Sequence, residues 1–151
     1  MKTIICLENT SYSPCSYDMI KDVNRFVEDH NDEISIVSLD QTKDFININT
    51  AIFSPLELDS FNDGVIICNK INTAEVILSC INRSKKVLYL YDLDWMFEQF
   101  SYDKLFKVLN DKNLDIILRS EDYVNPLRNV CGRKHTKVLE NFELEAIWNL
   151  L

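Results

Sequence analysis

"LDIILRSEDYVNPLRNVCGRKHTKVLENFELEAIWNLL" runs from Leu114 to Leu151. Asp115 to Leu118 form an apolar run of strand length. The chain then passes through Arg119-Ser120-Glu121-Asp122 into Val124 to Cys131, a short helix that Gly132 is suited to end. Thr136 to Leu139 read as a second strand. Leu144, Ile147, Trp148 and Leu151 then recur at i, i+3, i+4, i+7, the spacing of one face of a helix. Parallel neighbours in a sheet need a crossover, and a helix is the usual one, so strand–helix–strand–helix points to a parallel sheet.

Upstream, the same alternation repeats. Thr3 to Leu7 is an unbroken apolar run, the mark of a strand covered on both faces. After the loop from Glu8 to Tyr17, Met19, Ile20, Val23, Phe26 and Val27 fall at helical spacing, with Ser13 as cap and Pro14 at the first helical position. Ile34 to Leu39 is a second strand, and Phe45 to Phe53 reads as strand or extended loop. Gly64 to Cys68 is another buried strand. The helix after it is expected to be capped by Asn72, with Glu75 three residues on as in a capping box, and to carry the stripe Ala74, Ile77, Leu78, Ile81. Lys86 to Tyr91 form the next strand, and the helix of Ser101 to Asp111 would present Tyr102, Leu105, Phe106 and Leu109 on one face. The expected fold is α/β: one domain over residues 1–151, three layers, with a doubly wound, mainly parallel sheet.

Composition narrows the function. The chain has 151 residues, 46% of them hydrophobic, with 24 acidic against 16 basic side chains and a formal charge of -8. Such an acidic surface does not suit nucleic-acid backbone, which needs clustered Lys and Arg. The densest basic group, Arg128, Arg133, Lys134 and Lys137, is offset by Glu140, Glu143 and Glu145 and reads as a solvated face rather than a phosphate patch. The two glycines, Gly64 and Gly132, cannot build a P-loop or a dinucleotide turn, which excludes the usual NAD enzymes and ATPases. Five cysteines with no C-x-x-C pair, two of them (Cys6 and Cys68) inside strand-like runs, suggest reduced thiols. Met1 leads directly into a strand, and no apolar run approaches the roughly 18–20 residues that span a bilayer. No leader or transmembrane segment is therefore expected, and the expected location is cytoplasmic.

In a doubly wound sheet, ligands bind beyond the carboxyl ends of the strands, where strand order reverses. Four loops therefore matter: Glu8–Tyr17, Asn69–Asn72, Asp92–Trp95 and Arg119–Asp122. In "YDLDWMF" (Tyr91 to Phe97), Asp92 and Asp94 are candidates for a general base, and Trp95 for an aromatic platform under a sugar. The competing reading is an acidic turn with Trp95 and Phe97 in the core. No metal site is expected, because nothing else supplies an obvious further ligand. His30 and His135 have no Cys or Ser partner at a catalytic spacing, and Ser11, Ser13 and Ser16 lack the G-x-S-x-G elbow.

The order of elements resembles the N-terminal, Rossmann-like domain of GT-B glycosyltransferases. In that family an Asp-hydrophobic-Ser strand is followed by a helix, a glycine, a basic residue and a strand entering a Val-Ile-x-Asn turn. The matching residues here are Asp115, Ile116, Ile117 and Ser120, then Leu127 through Gly132, then Lys137, Val138, Leu139, Glu140 and Asn141. The stretch Val87 to Phe97 is similar to the family's preceding strand and acceptor-side loop. Two departures stand out. The chain ends ten residues after the turn that leads into the family's donor-binding domain, and Thr10-Ser11-Tyr12-Ser13-Pro14 replaces the usual glycines after the first strand. The resemblance thus implies an acceptor-side or accessory half, not active alone and with no cofactor of its own. Its substrate would meet Ser11, Tyr12, Asn69, Trp95, Ser120 and Glu121. A second chain carrying the nucleotide-sugar domain, or a homo-oligomer, is the implied partner, docking around Trp148, Leu150 and Leu151. Two alternatives are a non-enzymatic, flavodoxin-like binding or regulatory module, and a small free-standing hydrolase or transferase using Asp92 or Asp94.

Overall fold

A strand with no polar residue to turn towards water has to be covered on both sides, and this requirement organises the chain. The computed structural model describes residues 2–29, 33–40, 45–133 and 137–151. His30, Lys134, His135 and Thr136, considered above, lie outside these residues. Among the described residues seven strands occur: β1 (Thr3–Leu7), β2 (Ile34–Ser38), β3 (Ala51–Phe53), β4 (Val65–Cys68), β5 (Lys85–Leu90), β6 (Leu114–Leu118) and β7 (Lys137–Val138). They form one sheet in the order β3-β2-β1-β4-β5-β6-β7. Every pairing in it is parallel.

The helices are α1 (Pro14–Asp29), α2 (Ile71–Ser79), α3 (Tyr102–Leu109), α4 (Val124–Cys131) and α5 (Leu144–Leu150). Alternate residues of the strands feed two cores. Ile4, Cys6, Ile66, Cys68, Leu88 and Leu90 meet Ile71, Ala74 and Ile77 of α2, Leu105 and Leu109 of α3, and Leu127 of α4. Ile5, Leu7, Ile67, Val87 and Tyr89 meet Met19, Ile20 and Val23 of α1 and Leu144 and Ile147 of α5. The fold is a Rossmann-like, three-layer α/β arrangement. No described helix is long and apolar enough to cross a membrane.

Local signals explain most boundaries. The Ser13 hydroxyl accepts from the Ser16 backbone N–H at 3.0 Å, so α1 starts where its cap and Pro14 require. Gly132 adopts φ +73 and donates its N–H to the Arg128 carbonyl at 2.7 Å, ending α4. Asp22, buried on α1, accepts the Leu144 N–H at 2.9 Å and thereby ties the start of α5 to α1.

Elsewhere the structure corrects the sequence reading. Helix α2 begins at Ile71 with Lys70 at the cap position, so Asn72 lies within the helix rather than capping it: Thr73 Oγ1 accepts from the Lys70 N–H at 3.1 Å, while Asn72 turns towards Glu8 and Lys104. The stripe on α2 stops before Ile81, which lies beyond the helix and is 95% exposed. On α3 it is Val108 that joins Leu105 and Leu109 in the core. Tyr102 and Phe106 remain exposed and stack on each other with centroids 5.9 Å apart. Only Ala51–Phe53 of the Phe45–Phe53 stretch pairs as a strand, at an edge of the sheet. Trp148, Leu150 and Leu151 do not offer the docking face expected of them. They pack onto the second core, Trp148 edge-on to Phe26 at 4.8 Å.

Candidate functional site

Strand order reverses between β1 and β4. The chain builds outward from β1 to β2 and β3, then returns to add β4 on the other side of β1. The helices that follow β1 and β4 lie on opposite faces, so the loops leaving these two strands part and leave a crevice. A cleft of about 230 Å³ opens there, lined by Ser13, Pro14, Cys15, Asn69, Lys70, Tyr91, Asp92, Asp94, Phe97 and Glu98. This size suits a single-ring ligand rather than a dinucleotide.

Asp94 is the best defined of these groups. After β5 the chain drops Leu93 into the core and makes a short 3-10 turn over Asp94–Met96, closed by the Phe97 N–H donating to the Asp94 carbonyl at 3.0 Å. The turn carries the Asp94 carboxylate, 8% exposed, to the start of α2, where Oδ2 accepts the Ile71 N–H at 3.3 Å. Burial pushes this carboxyl up from 3.8 to about 6, although the Ile71 N–H and Lys70 both oppose the rise. The start of a helix is where phosphate binds in many nucleotide-binding folds. Here a carboxylate of the chain itself occupies it.

The other charges form one cluster. Lys70 Nζ donates at 2.9 Å to both Glu8 Oε2 and Glu98 Oε1, and Asn72 Nδ2 donates to Glu8 Oε1 at 3.2 Å. Burial alone would raise the Glu8 carboxyl, but the bonds from Lys70 and Asn72 and the Lys70 charge outweigh it, and the net shift is downward. Lys70 is correspondingly held protonated, its two carboxylates overcoming burial. Asp92 is exposed and accepts from the Tyr123 hydroxyl at 3.2 Å. Cys15 accepts from Asn69 Nδ2 at 3.3 Å, and burial pushes its thiol up to about 12, so it stays neutral and is a poor nucleophile.

The structure brings Asp92, Asp94 and Asn69 together in the crevice and takes the other candidates elsewhere. Trp95 packs half-buried against the first core. Ser11 is engaged with Asn9 and with the Ser16 hydroxyl, and Tyr12 meets Phe45 edge-on at 5.3 Å. Ser120 caps the 3-10 turn Glu121–Tyr123 by accepting from the Asp122 N–H at 3.2 Å, and it lines a separate shallow pocket with Arg119, Tyr123, Glu140 and Asn141. Glu121 is exposed on that turn. Sequence reasoning identified three of the loops but missed Cys15, Lys70, Tyr91, Phe97 and Glu98. The available signal for these was position alone, each lying within eight residues of a strand's carboxyl end.

Chemically, the crevice holds a sheltered carboxylate able to accept a proton near neutral pH, a second carboxylate at its rim, and a cation already committed to two acids. Among the described residues no group of three or more His, Cys, Asp or Glu side chains could hold a metal ion. No protein-family model and no curated protein matches this chain.

Proposed function

We propose that the chain is the acceptor-side half of a glycosyltransferase of GT-B type, acting with a second chain that binds the nucleotide-sugar. Asp94 carries this reading. A buried carboxylate with a pKa near 6, beside an open cleft, is suited to take the proton that an acceptor hydroxyl loses when a glycosidic bond forms. Among the described residues Lys70 is the one basic side chain lining the cleft, and it is held by Glu8 and Glu98, an arrangement that offers a diphosphate little and fits a donor bound elsewhere.

The reading is tested by purifying the tagged chain from its native cells and assaying the complex for sugar transfer. The expected result is a stoichiometric partner that binds nucleotide-sugar, with transfer reduced about a hundredfold or more by Asp94→Asn. Nucleotide-sugar binding to the isolated chain, or transfer unaffected by Asp94→Asn, would overturn it.

A second reading, a non-enzymatic binding module, is favoured by the way the crevice groups satisfy one another, with Lys70 between two acids and Asp94 on the Ile71 N–H. Ligand binding without transfer in any complex would select it.

A further inference from the structure

The polar groups left over in the crevice are acceptors. Among the described residues, Asp92, Asp94 and Glu98 line it against one base, Lys70, which Glu8 and Glu98 each hold at 2.9 Å. Arg119 is outside the lining set, with its guanidinium on the Tyr91 ring, 4.0 Å from the centroid. Asn69 is 6% exposed. Its amide nitrogen is used on Cys15, and its Oδ1 is buried with no hydrogen-bond partner among the described residues. A buried amide oxygen without a donor is costly, and a ligand N–H or O–H recovers that cost.

These facts rank the ligands. A phosphate would meet uncompensated carboxylates. A neutral polyol would supply hydrogen bonds but leave the negative charge unanswered. A protonated amine brings three N–H donors and a positive charge to the Asp94 carboxylate, which is sheltered from water, where charge interactions are strongest, and to Asp92 at the rim. Phe97 lines the same space, and an aromatic ring tolerates a cation at its face.

We propose that this crevice selects a ligand bearing a protonated primary amine, held by Asp94, Asp92 and the Asn69 amide oxygen. The inference deepens the acceptor-site reading and rests on it, the acceptor then being an amino sugar.

The test is a ligand-observed NMR titration of the full chain at neutral pH with D-glucosamine, D-glucose, D-glucose 6-phosphate and ethanolamine. Glucosamine is expected to bind about tenfold or more tightly than glucose. Asp92→Asn, at an exposed position that leaves the fold intact, is expected to cut that preference several-fold. Equal binding of glucose and glucosamine would overturn amine selection while leaving the sugar-acceptor reading in place. Tightest binding of glucose 6-phosphate would overturn amine selection outright. Ethanolamine binding with neither unphosphorylated sugar would support the amine site and overturn the sugar-acceptor reading. Binding of none of the four would overturn both.

Discussion

The two edges of the sheet are built from the same apolar strands but finished in different ways. At the amino edge, backbone meets backbone: the Val65 N–H donates to the Lys2 carbonyl at 3.1 Å and the Lys85 N–H to the Gly64 carbonyl at 2.9 Å. Gly64 sits there at φ +103, where a Cβ would lie 2.2 Å from the Lys2 carbonyl oxygen. At the carboxyl edge, side chains finish the strands. Glu8, Lys70, Asp94 and Glu98 spend their hydrogen bonds on one another or on a helix start, around an open cleft. The difference teaches where substitutions should register. The amino edge answers in stability, and the carboxyl edge answers in charge and ligand affinity.

The largest expected effect lies at the amino edge. Gly64→Ala combines a positive φ with a backbone clash and should cost about 3 kcal/mol or more in denaturant unfolding. A loss below about 1 kcal/mol would mean that this edge relaxes easily, and the contrast would fail.

Next comes Asp94→Asn, with the opposite sign. The folded-state value of about 6 lies above the ordinary 3.8. The stability this carboxyl contributes is therefore intact below about pH 4 and is lost as pH rises through 6. Asparagine keeps an acceptor for the Ile71 N–H without the buried charge. At pH 7 the variant should be more stable than the parent by on the order of 2 kcal/mol, with the gap opening between about pH 4 and 6. Unfolding measured for both proteins across that window checks the point, and a pH-independent gap would contradict it.

Lys70→Met should cost about 1 kcal/mol, because the pairs it breaks are partly exposed. Its clearer signature is the Glu8 carboxyl, which loses the bond and charge of Lys70 and should titrate at higher pH by carboxyl NMR. The smallest effect is expected from Glu121→Gln, exposed and outside the crevice: within about 0.5 kcal/mol in stability, with no change in ligand affinity.

The alternation of apolar strands with helical stripes was legible in the sequence because burial on both faces leaves few polar residues within a central strand. Ser13-Pro14 and Gly132 were legible because their demands on the backbone are local. The start of α2 was not. Asn72 looks like a cap in isolation, but Glu8 and Lys104, which it actually bonds, stand 64 and 32 residues away. Phe106 and Ile81 misled because hydrophobic spacing does not reveal where a helix turns away from the core or stops. The site was legible as loops rather than as side chains. Asp94 and Asn69 were named from their positions after strands. That Asp94 would settle on the start of α2, and Trp95 beside it in the core, depends on a turn anchored by Leu93. Cys15 reaches the crevice only because β1 and β4 are neighbours, 54 residues separating it from Asn69.

Backbone amide NMR of the chain titrated with D-glucosamine would locate the ligand site most directly. The expected shifts cluster at Cys15, Asn69 to Ile71 and Asp94 to Phe97, around the β1–β4 crevice. Shifts confined to Ser120 to Tyr123 and Asn141, or scattered without a focus, would contradict a ligand site at the point where the strand order reverses.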